Sequence, residues 1–350
     1  MTIGPYLQNA WYAAMWSADL APGTLVARTI LDEPLVFWRP ASGGVAALGD
    51  RCPHRFAPLS MGRVAGDVLQ CGYHGLEFNA AGACVNNPHP NRAVPPGTTV
   101  GTHPVTERYS IVWIWIGDGE PDESYIPDYS LLDAAPVENV SRRDYLLMAA
   151  NYELIADNLL DLSHASFLHA GLLGNEAMVD TRTDVERAGN TLWVSRFTPD
   201  VPVPRLYDLM FRQDGRNVDI WTRIRWDAPG CLLNDTGACA PGTDRSTGTG
   251  LFGVHLLTPE TATTTHYHFC AVRQNAVQRD VAADEHIRTQ LSELRHRAFE
   301  EQDRAMIEAQ QRNITRSAGE MRPALLSVDA GIVRYHRMVE ELRAGAPGDS

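Results

Sequence analysis

The stretch CPHRFAPLSMGRVAGDVLQCGYHG, residues 52–75, separates Cys52 from His54 by one residue and Cys71 from His74 by two, with sixteen residues between the pairs. Four soft and borderline ligands at such spacing point to a metal. A structural zinc site would use the same ligand types, but typical zinc fingers place both cysteines first and both histidines second. Here each turn contributes one of each. That distribution suits a two-iron cluster, with Cys52 and Cys71 on one iron and His54 and His74 on the other. Imidazoles in place of two thiolates remove negative charge, so an added electron is held more easily and the potential rises.

The first 120 residues read as short β-branched and aromatic runs (TLVARTI, PLVFWRP, GVAALGD, VLQCGYHG, YSIVWIWIG) punctuated by Gly, Pro and Asp. This describes an all-β unit over residues 1–120 with the Cys/His pairs on two turns. A Pro- and acid-rich stretch follows, read as a linker over 121–143. From 144 to 350 the pattern becomes α+β: a helix in NYELIADNLLDLSHASFLH, then the strands TLWVSRF, NVDIWTRIRW, GLFGVHLLT and THYHFCAVRQ. A polar loop is expected at NDTGACAPGTDRSTGTG, residues 234–250, and the last third reads as long helices.

A net charge of −13 offers no phosphate-neutralising surface and argues against nucleic acid as a partner. The N-terminus lacks the pattern of a secretory signal, and the apolar runs are strand-length, so a cytoplasmic protein with no membrane span is expected. Cys84, Cys231, Cys239 and Cys270 read as ordinary thiols. No Gly-rich phosphate loop or flavin-binding stretch stands out.

The flanks CPHRFAPLS and CGYHGLEF make the resemblance plain. The motif resembles the Rieske signature of ring-hydroxylating and demethylating non-haem iron oxygenases, C-x-H followed by C-x-x-H. QNAWYAA, ERYSIVWIWIGD, LLTPET and LLSVDAG extend the likeness over nearly the whole chain, most closely to the vanillate O-demethylase and dicamba monooxygenase branch. The resemblance implies a Rieske β domain with one 2Fe-2S cluster, then a helix-grip domain, an antiparallel sheet with helices, holding one mononuclear Fe(II). It also implies electrons from a separate NAD(P)H-dependent reductase or ferredoxin.

NLLDLSHASFLH supplies Asp161, His164 and His169. Asp161 and His164 are three apart, hence on one helical face. His169 is five beyond His164, so for both rings to meet one ion the helix must end or bulge between them. Histidines flanking a solvated helix end would look the same in isolation; following a Rieske motif, the segment resembles the family's iron site. Ferrous iron that activates O2 commonly takes two His and one carboxylate. Asp303 is the candidate third ligand, interrupting a stripe of Phe299, Met306 and Ile307. Glu300, Glu301 and Glu308 read as solvated.

By resemblance, Asp161 links a cluster histidine (His74) of one subunit to His164 of its neighbour within a homotrimer, and Asn158 lies near the iron without ligating it. By resemblance, His255 and Asn234 match pocket residues that hydrogen-bond a carboxylate or ether in the dicamba-type enzymes, and Leu294 falls where that branch has a pocket tryptophan. Read from residues alone, a satisfied core histidine is the lesser alternative for His255, and a turn residue an equal one for Asn234. The expected reaction is oxidative O-demethylation of a small methoxylated aromatic acid with O2. Aryl-methyl hydroxylation and ring dioxygenation are the alternatives within the class, and a Rieske electron-transfer protein is the alternative outside it.

Overall fold

The computed structural model describes residues 6–317, 319 and 321–345. The outermost residues of the two expected domains, 1–5 and 346–350, therefore lie outside it. The chain divides into two units, one of Gln8–Asp133 with Thr258–Ala262, the other containing Ala134–Leu257 and the residues from Thr263 onward.

The first unit consists of three small antiparallel sheets. One joins β1 (Ala10–Trp16), β10 (Ile111–Ile116) and β9 (Val105–Arg108). A second joins β2 (Val26–Ile30), β3 (Glu33–Trp38) and β4 (Ala46–Gly49), and a third joins β5 (Arg63–Ala65), β6 (Val68–Gln70), β7 (Glu77–Phe78) and β8 (Cys84–Asn86). All six residues of β10, IVWIWI, are buried, so this strand is covered on both faces and shows no polar alternation. Trp11 and Trp115 face each other across β1 and β10, and their indole N–H groups donate to the carbonyls of Asp122 and Gly119. Those bonds fasten the start of the acidic stretch to this unit. The division between units falls after Asp133, inside α1 (Leu131–Ala134), and thus within the stretch 121–143.

The second unit is a seven-stranded antiparallel sheet in the order β11-β17-β16-β15-β14-β13-β12. The strands are β11 (Asp144–Met148), β12 (Asp184–Ala188), β13 (Thr191–Val201), β14 (Val218–Asp227), β15 (Cys231–Cys239), β16 (Thr249–Thr261) and β17 (Thr264–Gln274). The α+β expectation is met, but the expected loop 234–250 is corrected at both ends. Residues 234–239 are the last six of β15, an interior strand whose small and polar residues hid it, and Thr249 and Gly250 begin β16.

Helices cover one face of this sheet. These are α2 (Tyr152–Leu160), α3 (Arg205–Met210), α4 (Val281–His296), α5 (Arg304–Arg316) and α6 (Ala330–Arg343). Asn151 caps α2 by accepting from the Glu153 amide, and Leu154, Ile155 and Leu159 bury its apolar stripe. Tyr335, Met338 and Val339 of α6 recur at helical spacing in the same core, together with Trp226, Leu232 and Phe269 of the sheet. Met338 and Val339 each contribute about 1.5–3 kcal/mol by leaving water. Gly331 lets α6 approach β13, since a Cβ there would lie 2.8 Å from Val194. Between α4 and α5 the turn Arg297–Asp303 is π-helical, so the three form one continuous helix with a local change of phase. Among the described residues, no helix is long and apolar enough to cross a membrane.

Candidate metal centres and catalytic pocket

The two Cys/His turns of the first unit share one backbone design. The Cys52 amide donates to Ala57 and its carbonyl accepts from Phe56, both at 2.8 Å; the Cys71 amide donates to Leu76 at 2.8 Å and its carbonyl accepts from Gly75 at 3.0 Å. Each loop needs a left-handed residue four after its cysteine, Phe56 at φ 60° and Gly75 at φ 75°. A Cβ at Gly75 would also meet Pro88 at 3.1 Å, so the left-handed backbone and a tight contact both favour glycine there.

Both cysteines are 2 % exposed, whereas His54 is exposed and His74 half-buried, their rings 4.5 Å apart between centroids and edge-on. Thiols lie inside and imidazoles outside. Burial pushes the Cys52 thiol up, partly offset by the backbone amides of His54 and Arg55. Thiolates held here therefore require a cationic partner.

The second centre is built where α2 stops. Asp161 is the C-cap, with extended backbone, and its carboxylate accepts from the Ser163 amide at 2.8 Å and the Ser163 hydroxyl at 2.5 Å. Asp161 and His164 thus do not share a helical face; the chain turns at the Asp and re-enters a short 3-10 turn, His164–Ser166. His164 Nδ1 lies 2.5 Å from the Asp161 carbonyl oxygen, so the backbone of Asp161, not its carboxylate, orients this ring.

His169 Nδ1 lies 2.9 Å from Gln302 Oε1, and Gln302 in turn donates to the Leu168 carbonyl at 2.9 Å. In both histidines Nδ1 faces an acceptor, which leaves Nε2 as the nitrogen with a lone pair to offer a metal. Both Nε2 atoms face Asp303 Oδ1, at 3.7 Å from His164 and 3.1 Å from His169. Asn158 donates to that same oxygen at 3.2 Å.

Asp303 is 4 % exposed and ends the π-helical turn. The stripe used to single it out was only half right, because Ile307 is buried but Met306 is 49 % exposed. The π turn shifts the phase of the helix and aims Asp303 inward. Glu308 is also not merely solvated, since it binds Arg304 and accepts from the Ala149 amide. Burial lowers His164, and His169 adds to that; in His169 burial is outweighed by the Asp303 carboxylate and Gln302, so its affinity for a proton rises.

This triad lies in the wall of a cavity of about 340 Å³, which Asn158, Asp161, Asn234, His255 and Leu294 also line. His255 is 2 % exposed, its Nδ1 is 2.7 Å from the Tyr267 hydroxyl, and burial with help from Arg295 drives its pKa down to about 3, so it is neutral. Asn234 pairs with Gly253 across β15 and β16, so it is a strand residue rather than a turn residue, and its buried Oδ1 has no partner. Leu294 is buried in the apolar cluster at one end of the cavity.

Family comparison decides what these centres belong to. Residues 10–104 match the Rieske [2Fe-2S] domain, and residues 148–345 match the vanillate O-demethylase oxygenase C-terminal domain. The chain belongs to the Rieske non-haem iron oxygenases. The oxygenase is 36 % identical to the oxygenase component of chloroacetanilide N-alkylformylase from Rhizorhabdus wittichii, over 97 % of this chain and 96 % of that one. It is also 36 % identical to the oxygenase component of dicamba O-demethylase from Stenotrophomonas maltophilia, over 96 % and 98 %. A crystal structure of dicamba monooxygenase bound to 3,6-dichlorosalicylic acid superposes with a TM-score of 0.88 at 34 % identity, covering 97 % of this chain and 98 % of that one.

The oxygenase's cofactors are accordingly a 2Fe-2S cluster and a mononuclear iron. The donor sets fit them. Among the described residues, the one set of three or more such ligand atoms within 4.8 Å of one another is His164, His169 and Asp303, which suits a single ion. Cys52, His54, Cys71 and His74 do not converge in that way, as a lone tetrahedral zinc would demand with bonds of about 2.0–2.3 Å. Sequence reasoning missed Gln302 and Arg196. Gln302 carries no local signal, but Arg196 did, being a charge in the buried phase of TLWVSRF.

Proposed function

We propose that this oxygenase performs oxidative O-demethylation of a methoxylated aromatic acid, with O2 and electrons from a separate NAD(P)H-dependent reductase or ferredoxin. The observation that carries it is a two-His-one-carboxylate set, with His169 and Asp303 buried and His164 half-buried, in the wall of a one-ring-sized, largely apolar cavity. When bound, the cluster supplies single electrons and the mononuclear iron supplies O2 activation. In this reading Cys52 and Cys71 hold one cluster iron, His54 and His74 the other, and His164, His169 and Asp303 hold the mononuclear ion.

The protein's remaining groups bind and orient. Neutral His255 and Asn234 offer hydrogen bonds to polar groups of the substrate, and Leu294 shapes the apolar side. The half-exposed Asp161 carboxylate would accept from His74 of a neighbouring copy, routing electrons between subunits of a homotrimer in the cytoplasm. The Rieske domain would thus serve the catalytic domain of its neighbour.

Hydroxylation at the O–CH3 carbon gives a hemiacetal, which loses its hydroxyl proton and breaks the bond between that carbon and the aryloxy oxygen, releasing formaldehyde and a phenolate that takes up a proton. Overall, one O2 and one NADH with a proton yield one phenol, one formaldehyde and one water. No further acid–base residue is needed. A screen of methoxybenzoates with a surrogate reductase tests this, expecting stoichiometric formaldehyde. A benzylic alcohol or a ring diol from the best substrate, without formaldehyde, would refute the reaction chosen.

A further inference from the structure

Arg196 is a charge on the wrong face of its strand. It alternates inward with Leu192, Val194 and Thr198 along β13, is 8 % exposed, and lines the catalytic cavity. Its Nε donates to Thr183 Oγ1 at 2.8 Å and its Nη1 to the Leu162 carbonyl at 3.3 Å, while its buried Nη2 has no partner. The other guanidinium groups lining this cavity each have a carboxylate in salt-bridge range: Asp144 is shared by Arg142 and Arg295, and Asp284 by Arg273 and Arg288. Among the described cavity residues, Arg196 is the guanidinium with no carboxylate in salt-bridge range. Asp161 is the anion whose field it feels, but no salt bridge joins the two. A buried cation left in this state is costly unless an anion joins it.

We infer that Arg196 is the anion receptor of the pocket, and that the substrate's ionised group, an aryl carboxylate or sulfonate, pairs with its buried, unpartnered Nη2. This rests on the reading of the cavity as the substrate site. Sheet register supports it. Arg196 stands opposite Thr222 and, through it, Thr236, while Asn234 lies in the adjoining row two strands away. With strands about 4.8 Å apart and two residues spanning about 6.6 Å, the backbones at Arg196 and Asn234 are separated by roughly 12 Å, enough for a substituted benzene ring between their side chains. Neutral His255 supplies a hydrogen bond but no charge, so charge recognition falls to Arg196.

The test is anaerobic calorimetric binding to the iron-loaded protein, using 3-methoxybenzoate, 3-methoxybenzenesulfonate and the neutral 3-methoxybenzamide. Wild type should bind its preferred anion at least about 10-fold more tightly than the amide, and the order of the two anions names the head group. Arg196→Met should weaken the anions about 10- to 100-fold and change the amide by less than about threefold; Arg196→Lys should restore part of the loss. Equal affinity of wild type for anion and amide would overturn the inference, as would anion preference surviving in Arg196→Met. Should Arg196→Met not fold, the wild-type comparison and Arg196→Lys still decide. Because binding is read without turnover, attack at a methyl group or ring would leave this result unaffected.

Discussion

Gln302 stands behind His169, the proposed iron ligand, and is the place where a small change should have a large, specific effect. Replacing it by leucine keeps the side chain's bulk but removes the acceptor for His169 Nδ1 and the donor to the Leu168 carbonyl. His169 is 1 % exposed, so its Nδ1–H would find no water in exchange. Leaving such a buried donor unmet costs about 1–3 kcal/mol, and the ring also loses the bond that fixes its tautomer. Nε2 is then no longer held toward the iron in its neutral, lone-pair form. Losses of this kind typically lower metal affinity about 10- to 100-fold. The assay is mononuclear iron retained per chain after equilibration with graded chelator, with the cluster's visible absorbance as the internal reference. Gln302→Glu, which keeps an acceptor, should retain iron close to wild type. Gln302→Leu holding iron as tightly as wild type across the chelator series would refute the positioning argument.

Anaerobically purified protein should carry about three irons per chain, and His164→Ala should lose the single iron while leaving the cluster absorbance intact; zinc as the main metal at Cys52 and Cys71 would contradict this. Asp161→Asn should keep both metals but lose most turnover, and a strictly monomeric protein with full activity at high dilution would sink the inter-subunit route. Stability should depend on His336, where burial is overcome by the Asp157 carboxylate at 2.8 Å and Glu153 at 3.6 Å, raising its pKa to about 9. Because the folded value lies above the ordinary one, the pair's contribution is complete below about pH 6.5 and is lost as pH climbs through 9. That contribution is at most roughly 3 kcal/mol, since burial of Asp157 works against the pair. Denaturant melts of wild type and His336→Gln at pH 6 and pH 9.5 should converge at the higher pH, and parallel profiles would contradict the assignment.

The proposed cluster ligands stand out in the sequence because each Cys/His pair sits on one tight turn, where the spacing of side chains is a local matter. The strands of Ile111–Ile116 and Val218–Asp227 were legible for a similar reason, the first as a continuous apolar run and the second as β-branched and aromatic residues interleaved with polar ones. β11 and β12 were missed as sheet-edge strands with mixed composition, and β15 because its Asn, Asp, Thr and Gly look like loop residues until a pocket is placed against them. His164 and His169 could be named from sequence, but how they meet could not. Their convergence depends on α2 stopping at Leu160 and on Asp161 turning the chain.

Asp303 reaches them across a long gap in sequence. Its bond from Asn158 spans 145 positions, and the Gln302 bond to His169 spans 133. No local pattern encodes such partners; they are set by how the helix Val281–Arg316, with its π turn, packs beside α2. The same holds for Arg196 and Asn234, whose place in one cavity follows from the pairing register of three strands. Local spacing fixes which chemistry a chain can carry, whereas distances between remote side chains are decided only when their shared apolar faces are buried together.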